Sequence, residues 1–390
     1  MTKFICPECK KVYENVTNDK CPVCSLKAPY AYDFVNSDEF LINEAEKVLK
    51  ERKEFGLDGL VGGLESVVIN VEEDHFFSAI IELLKTTGYR ISTAFENEHY
   101  LTCVLTNQDS ADLLVKVRLK ASNPFADFNI FPKSRHLPNT RLETFIFSSS
   151  DLQKYVEIQK SRGIEFLPPE IIEKDNYFFI QTLPSIHTGI STGILQWKNG
   201  IKNYKSRSDR LITLNVAKPR SEFLNNIGRL DHTATRVKAK DRDSAIIEFM
   251  QLTNYNFDFA IYVEMFNSIT NVARLSAEDF AMVFTSGISP YIDEIHSGPT
   301  EKFIKNYGPR VHHMAFSTKN IESTYEALLE KGQKFLIELV GSPDQGLKQT
   351  FTVTSPNTLL VNEYIHRYGD FDGFFTKNNV TLLTESTDKQ

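Results

Sequence analysis

Short stretches of β-branched and aromatic residues alternate with longer stretches of helical periodicity from Leu64 onward. LESVVINV has the composition of a strand, and DHFFSAIIELLKTTGY has apolar residues at helical spacing before Gly88. The stretches EHYLTCVL and DLLVKVRL then return to the pattern of strands. This order of strand, helix and strands predicts a βαβββ module at this point of the chain.

The same order of stretches occurs four times. RLETFIFS, LDHTATRV and RVHHMAFS begin the second, third and fourth occurrences, and each is followed by a helix-like stretch and by further strand-like stretches. A polar stretch over 199–220 separates the first two occurrences from the last two. We therefore predict an α+β fold of four βαβββ modules, with one half over 61–200, a linker over 201–225 and a second half over 226–390.

An amphipathic stretch precedes the first module. DEFLINEAEKVLKERKEF begins after Ser37, carries acids in its first turn and bases in its last turn, and meets Gly56. Serine is a preferred N-cap residue and glycine a preferred residue after a helix, so the stretch predicts a helix. The interval 31–60 is predicted to be a connecting helix followed by a flexible glycine-rich joint.

Four of the five cysteines stand in two Cys-x-x-Cys pairs near the start, Cys6 with Cys9 and Cys21 with Cys24. Four thiolates at this spacing are typical of a tetrahedral structural zinc site, so 1–30 is predicted to be a zinc ribbon. Two disulfides, a redox pair and a rubredoxin-like iron site are the alternatives. Disulfides would need an oxidising compartment, and the start of the chain lacks the apolar core of a signal peptide. Because four thiolates complete the coordination of the zinc, we expect the ribbon to have a structural role or to bind a protein partner.

Two histidines and a glutamate in the last two modules form the most informative set of residues. His232 lies in LDHTATRV, His313 in RVHHMAFS and Glu363 in TLLVNEYIH, each a strand-like stretch. Two imidazoles and one carboxylate on one side of an ion leave positions open for a substrate and O₂, which is typical of non-heme Fe(II) centres. We predict that these three side chains bind iron.

The repeat offers an internal comparison for these ligands. His232 corresponds to Ser66 in the first half, and His313 corresponds to Thr144. The first-half stretch that corresponds to the last ligand, 189–197, contains no acid. Because isolated histidines in strands are usually structural, the joint appearance of all three ligand types in one half favours a metal site there. The first half is predicted to be free of metal.

Two further histidines lie close to the predicted ligands. Strand alternation predicts that His312 lies on the face opposite His313. It also predicts that His366, three residues after Glu363, faces away from that glutamate. We therefore leave both histidines out of the predicted ligand set.

Four βαβββ modules in one chain resemble the vicinal-oxygen-chelate family. In that family, paired modules curl their sheets into an open barrel around a divalent metal, so the resemblance implies two open barrels. The last segment, TLLVNEYIHRYGDFDGFFTKNNVTLLTES, is similar to the end of the 4-hydroxyphenylpyruvate dioxygenase family. The matching positions are Glu363, Arg367, Gly369, Asp370, Gly373, Phe374 and Asn378 or Asn379.

The stretch LKQTFTVTSP resembles a strand of the same family and supplies Gln349 and Phe351. There the glutamine lies beside the iron, and two phenylalanines hold the substrate ring. The resemblance implies that Gln349 is catalytic, through a hydrogen bond on the oxygen-binding side, and that Phe351 and Phe374 bind the substrate. It also implies that a 2-oxo acid is oxidatively decarboxylated by O₂ with an Fe(II) cofactor. Core packing is the alternative role for each phenylalanine, since the chain contains 29.

The chain departs from that family in its substrate segment and in its spacing. The Pro-Ile-Asn-Glu-Pro segment is replaced by TSGISPYIDEIHSGP, the interval from His313 to Glu363 is shorter, and His312 replaces a glutamine. The zinc ribbon is an addition. These departures leave other functions open, namely an extradiol ring-cleaving dioxygenase, a glyoxalase-like enzyme, or a ligand-binding protein without turnover. Glyoxalase-like sites usually carry more carboxylate ligands, so the sequence disfavours a glyoxalase-like enzyme.

Composition limits the classes of partner. The 390-residue chain is 41% hydrophobic and 24% charged, as in ordinary globular proteins. Its net charge of −7 disfavours nucleic-acid binding, and no apolar run is long enough to span a bilayer. We therefore expect a cytoplasmic protein whose partners are a 2-oxo acid and O₂, with no membrane or nucleic-acid partner. We also expect a homo-oligomer.

The two predicted metals should be separable. Replacing Cys9 and Cys21 together by serine removes one thiolate from each pair, so the variant should lose its zinc and keep the metal of the second half. The reason is that thiolates favour zinc, whereas the imidazole–carboxylate set suits iron. Elemental analysis of the purified variant measures both metals. Loss of both would contradict two independent sites.

Overall fold

The computed structural model of the chain describes residues 3–5, 12–14, 35–294, 297–369, 371 and 373–390. Two short strands near the start, β1 (Lys3–Ile5) and β2 (Val12–Glu14), pair antiparallel. The four cysteines of the predicted ribbon lie outside the described residues. The zinc site therefore stays a prediction.

Two large sheets and seven helices make up the rest of the described chain. The strands of the first sheet are β3 (Val61–Asn70), β4 (Arg90–Glu96), β5 (Tyr100–Thr106), β6 (Asp112–Arg118), β7 (Arg141–Ser149), β8 (Ile172–Glu173), β9 (Tyr177–Gln181), β10 (Ser191–Trp197) and β11 (Arg210–Leu211). The strands of the second sheet are β12 (Ile227–Arg236), β13 (Asn256–Val263), β14 (Ser268–Arg274), β15 (Ala281–Ser286), β16 (Arg310–Thr318), β17 (Val340–Ser342), β18 (Leu347–Phe351) and β19 (Val361–Arg367). The helices are α1 (Asp38–Phe55), α2 (Phe76–Thr86), α3 (Leu152–Ser161), α4 (Arg242–Leu252), α5 (Pro299–Tyr307), α6 (Ile321–Glu330) and α7 (Lys377–Ser386).

Both sheets follow one plan. The strand order is β11-β4-β5-β6-β3-β7-β10-β9-β8 in the first and β13-β14-β15-β12-β16-β19-β18-β17 in the second. At the centre, the first strands of two modules pair antiparallel, β3 with β7 and β12 with β16. Each of these strands pairs on its other side, in parallel, with the last strand of its own module. The predicted α+β fold of four βαβββ modules in two curled sheets is confirmed.

The sequence patterns missed the strand that directly follows the helix in each module. These strands are β4, β8, β13 and β17, and they lie at or next to the edges of the sheets. β8 and β17 have only two and three residues, and most side chains of β4 and β13 are partly exposed. Edge strands bury little apolar surface, so their sequences lack the continuous or alternating apolar pattern of central strands.

One apolar core joins the two halves. The ring of Phe147 on β7 packs against Phe249 of α4 and against Tyr255, with centroids 5.8 and 5.3 Å apart. The hydroxyl of Tyr364 on β19 donates to the carbonyl oxygen of Thr86 at the end of α2, at 2.8 Å. The two halves therefore share an interior instead of meeting only through the linker.

Helix α1 begins and ends where its flanking residues predict. Ser37 precedes it in extended conformation, although its side chain forms no capping hydrogen bond, and Gly56 follows it with φ 73° in the left-handed region. The buried side of the helix carries Leu41 and Val48 and contacts α4 of the second half. The predicted connecting helix is thus part of the packed structure. None of the helices in the described ranges is long and apolar enough to cross a bilayer.

Arg52 anchors the last turn of α1. Its side chain is 2% exposed, and its Nε donates to the carbonyl oxygen of Met250 at 3.0 Å. Its Nη1 donates to the side chain of Asn256 at 2.7 Å, and its Nη2 contacts the carbonyl oxygen of Tyr255. These bonds fix the helix to the end of α4 and to the start of β13.

We expect α1 to be required for stability. A chain that begins at residue 57 loses the buried Leu41, Val48 and Arg52, so its free energy of unfolding should fall by about 4 kcal/mol or more, at roughly 2 kcal/mol for each buried aliphatic side chain plus the lost hydrogen bonds. A chain that begins at residue 35 is the control and should unfold like the full chain. Urea unfolding of the two measures the difference, and equal midpoints would mean that the helix is only a connection.

Candidate metal centre

Three neighbouring strands bring the predicted ligands together. His232 on β12 lies opposite Ala315 on β16, and Ala315 lies opposite Glu363 on β19. His313 precedes Ala315 by two residues, so its side chain leaves the same face of the sheet. The Nε2 atoms of His232 and His313 are 3.1 and 3.2 Å from one carboxylate oxygen, Oε2 of Glu363. One potential donor atom from each of the three residues therefore lies within 4.8 Å of the others, in a buried position.

His232 is oriented by the residue before it. Its Nδ1 lies 2.8 Å from Oδ1 of Asp231, whose carboxylate also accepts from Arg367 at 2.7 Å. Burial raises the pKa of Asp231, but the hydrogen bond from His232 and the charge of Arg367 outweigh it, so the group stays ionised. An ionised acceptor at Nδ1 fixes the tautomer in which Nε2 carries the lone pair once a metal is bound.

The charge balance at His232 favours exchange of a proton for a metal ion. Burial lowers the pKa of this imidazole, but the charge of Glu363 and the hydrogen bonds with Asp231 and Glu363 outweigh burial and raise it to about 9. A proton thus holds the positive charge between the two carboxylates in the metal-free protein. A divalent ion would replace that proton, as metal binding to histidine generally does.

His313 is oriented by its neighbour His312. The two Nδ1 atoms are 2.9 Å apart, and Nε2 of His312 is 2.7 Å from Oε1 of Gln390. Since the Gln390 oxygen can only accept, His312 donates from Nε2, and its Nδ1 then accepts from Nδ1 of His313. Burial holds the pKa of both histidines well below the ordinary value, so both are neutral. The remaining lone pair of His313, on Nε2, points toward Glu363.

The position of His312 differs from the strand-alternation prediction. Ala234 pairs with His313 and Thr235 pairs with Val311, so His312 is an extra residue in β16, a β-bulge. A bulge interrupts alternation, and the side chains of His312 and His313 line the same cavity. The predicted opposite orientation is therefore wrong, because the sequence pattern does not reveal a one-residue insertion in the pairing.

Gln349 holds the carboxylate of Glu363. Its Nε2 donates to Oε1 of Glu363 at 2.6 Å, and its Oε1 accepts from Nδ2 of Asn379 on α7 at 3.0 Å. Both ends of the Gln349 amide are thus engaged in this structure. The geometry favours a positioning role for Gln349, whereas the sequence predicts a direct catalytic one.

A narrow cavity opens beside the three residues. Its volume is about 50 Å³, and its wall includes the rings of Phe351 and Phe375. Phe351 stacks near His313, with centroids 4.8 Å apart, whereas Phe375 lies 5.1 Å from His232. Phe374, which the sequence predicts to bind substrate, is not among the residues that line this cavity, although its ring centroid lies 5.5 Å from that of His232 and it packs in an apolar cluster with Ala234. The structure thus brings Phe375 to the cavity at that point of the chain.

The corresponding place in the first half is filled with apolar side chains. Strand pairing puts Ser66, Ile146 and Gly193 where the second half has His232, Ala315 and Glu363. A β-carbon on Gly193 would lie 3.0 Å from both Ile146 and Phe179. The larger Ile146 and the ring of Phe179 therefore occupy the space that Ala315 leaves free in the second half.

The donor set of the second half fits a divalent cation. It comprises two imidazole nitrogens and one carboxylate oxygen. His232 donates to Asp231, His313 donates to His312, and Glu363 accepts from Gln349, so each ligand is held by an outer hydrogen bond. Outer partners of this kind are typical of metal-binding histidines and carboxylates. Two histidines and one carboxylate with room on one side suit Fe(II).

The fold of this chain is similar to the folds of solved structures. A triple mutant of 4-hydroxymandelate synthase from Streptomyces coelicolor aligns with a TM-score of 0.61 at 15% sequence identity, covering 85% of this chain and 99% of the other. A xylose isomerase-like TIM barrel/4-hydroxyphenylpyruvate dioxygenase fusion protein aligns with a TM-score of 0.61 at 13% identity, covering 90% of this chain and 58% of the other. No protein-family model and no curated protein matches the chain. At these identities the likeness supports the fold alone, and that fold agrees with the predicted vicinal-oxygen-chelate architecture.

Glu363→Gln should weaken metal binding much more than His366→Ala. Glu363 is the anionic member of the set, and its removal should lower Fe(II) affinity by more than about 100-fold, the upper range for loss of an outer partner. His366 contacts the carbonyl oxygen of Thr318 on the other side of the strand, so its loss should leave affinity nearly unchanged. Anaerobic Fe(II) titration of both variants measures this. Equal affinities would show that the ligand set is wrong.

Proposed function

We propose that the protein is an Fe(II)-dependent dioxygenase of the 4-hydroxyphenylpyruvate dioxygenase type, which oxidatively decarboxylates a 2-oxo acid with O₂. The observation that carries the proposal is the convergence of His232, His313 and Glu363 on one point beside a cavity, within 4.8 Å of one another. A fully enclosed structural site would need four protein ligands, whereas three leave positions for substrate.

The proposed chemistry divides between the ion and the chain. Iron, when bound, would offer positions for a chelating 2-oxo acid and for O₂, and it would supply electrons to O₂. The chain orients His232 through Asp231 and His313 through His312, so that the Nε2 atom of each imidazole faces the point where iron would bind. Gln349 fixes the orientation of the carboxylate of Glu363.

The surroundings of the site suit a reaction that must be kept from water. The rings of Phe351 and Phe375 line the cavity, and helix α7 contributes Val380 and Leu383 to the same wall. Apolar walls limit the access of water to a reactive centre and strengthen the electrostatic interactions within it. Phe351 and Phe375 are therefore our candidates for contact with the body of the substrate.

The fold comparisons support the proposal at the level of analogy. Both solved structures carry the name of a 4-hydroxymandelate synthase or of a 4-hydroxyphenylpyruvate dioxygenase fusion. Fold does not determine activity, so the residues of the site carry the argument and the fold adds to it. The structural zinc at Cys6, Cys9, Cys21 and Cys24, and a protein partner for that ribbon, are separate proposals that rest on the spacing of the cysteines.

Iron-loaded protein should consume O₂ in the presence of a 2-oxo acid and release CO₂ in equal amount. An oxygen electrode and a CO₂ assay measure both, with catechols and a glyoxal–thiol adduct as the substrates of the two alternative enzyme classes. His366→Ala is the matched control and should keep the activity, whereas Glu363→Gln should lose at least about 100-fold of it along with the metal. O₂ uptake with catechols alone would assign the ring-cleaving class instead, and turnover of none of these would sink the proposed activity.

A further inference from the structure

Arg236 is a buried cation for which no hydrogen-bond acceptor is found among the described residues. It is 4% exposed, and its Nη1 atom is buried with no partner. In the described part of the chain its guanidinium forms no ion pair, and its recorded contact is with the ring of Phe303, 4.4 Å from the guanidinium carbon to the centroid. Burial lowers the pKa of Arg236 to about 9, which leaves the group charged at neutral pH. A buried charge without a partner opposes folding, so its missing partner is the feature to explain.

Arg242 shows how this fold satisfies a buried arginine elsewhere. It is fully buried, like Arg236, but its Nε donates to Asn271 at 2.8 Å and its Nη1 to the carbonyl oxygen of Ser37 at 3.1 Å. Its Nη2 contacts the carboxylate of Asp38. Arg118, Arg141 and Arg310 also bury nitrogen atoms without a partner, but each keeps at least one acceptor. Arg236 differs from all of them, because none of the described residues offers its guanidinium an acceptor.

Arg236 lies in the same cavity as the candidate metal ligands. It follows His232 by four residues on β12, so both side chains leave one face of the strand with Cα atoms about 13 Å apart. The cavity is lined by His313, Gln349 and Glu363 at one end of this span and by Arg236 and its cross-strand neighbour Thr285 at the other. The hydroxyl of Thr285 is also buried without a partner. The cavity thus has a metal end and a basic, polar end.

The size of the cavity limits what can lie between these ends. At about 50 Å³ it is a third of the roughly 150 Å³ that receives a benzene ring in a dry protein cavity. An aromatic substrate would require a larger displacement of the walls than a short aliphatic one. The basic end and the metal end of the cavity therefore point to a doubly anionic molecule, and the small volume favours a short one.

We infer that Arg236 binds a second anionic group of the substrate, and that the substrate is a short 2-oxo dicarboxylic acid. This inference rests on the proposed function, because it assumes that the 2-oxo acid end lies at the metal. The far carboxylate accepts from the guanidinium of Arg236 and from the hydroxyl of Thr285. A planar guanidinium matches a carboxylate with two parallel hydrogen bonds, so the contact fixes both the charge and the orientation of the substrate.

Paired substrates of equal length test the inference. Iron-loaded protein is assayed with 2-oxopentanedioate against 2-oxopentanoate, and with 2-oxohexanedioate against 2-oxohexanoate. The ratio of kcat/KM between diacid and monoacid should exceed about 30 for at least one pair in the wild type, as expected for a desolvated charge pair. In Arg236→Gln the ratio should fall to about one, and Arg236→Lys should restore part of it. A wild-type ratio of one or less, or a ratio that Arg236→Gln leaves unchanged, would overturn the inference while the proposed activity stands.

Thermal stability gives a second readout that does not need turnover. Arg236→Gln removes an unpartnered charge, so it should not lower the melting temperature of the ligand-free protein, whereas the control Arg242→Gln should lower it and leave the substrate ratio unchanged. In metal-loaded protein under nitrogen, a diacid should raise the melting temperature of the wild type and not that of Arg236→Gln. If no 2-oxo acid is turned over, the proposed activity fails. The shift in melting temperature is then the test of the inference. A diacid that does not raise the melting temperature of the wild type would overturn the inference.

Discussion

The register of three adjacent strands is the constraint on which the site depends. Ala315 on the central strand lies between His232 and Glu363, and its methyl group leaves the volume in which an ion can contact both neighbours. A slip of one residue in either pairing would turn a ligand to the other face of the sheet. In the first half, Ile146 occupies the position of Ala315 and no ligand flanks it. The small Ala315 and its two flanking ligands together distinguish the half that can hold a metal from the half whose corresponding positions are packed with apolar side chains.

The outer hydrogen bonds determine what the three ligands can do. Asp231 forms a hydrogen bond with one nitrogen of His232, and His312 forms one with a nitrogen of His313. Gln349 donates a hydrogen bond to one oxygen of Glu363. Each ligand is left with one donor atom directed at the shared point. Arg236 differs from these residues, because it is a charged group in the same cavity for which none of the described residues supplies an acceptor. Satisfied groups in this cavity serve orientation, and the unsatisfied ones, Arg236 and Thr285, are where we expect a ligand to bind.

The sequence predicted the fold and the candidate ligands because both leave periodic or repeated signals. Central strands carry apolar runs, and the internal repeat aligns His232 with Ser66 without any structure. Other features depend on pairing and packing, which a linear pattern does not encode. The bulge at His312 reverses the predicted direction of one side chain, and the turn before α7 brings Phe375 to the cavity in place of Phe374. The missing partner of Arg236 could not be predicted, since it is a property of the surrounding side chains.

The hydrogen bond from Tyr364 to Thr86 ties the ligand strand to the other half of the protein. Tyr364 follows Glu363 directly and is fully buried, and its hydroxyl contacts the end of α2 across the shared core. Because the two halves share one interior, they are expected to unfold in a single cooperative step. Any free energy that a metal contributes at Glu363 would then add to the stability of the whole chain, including the first half. A substitution beside Thr86 could in turn shift the strand that carries Glu363, although it lies in the other half of the chain.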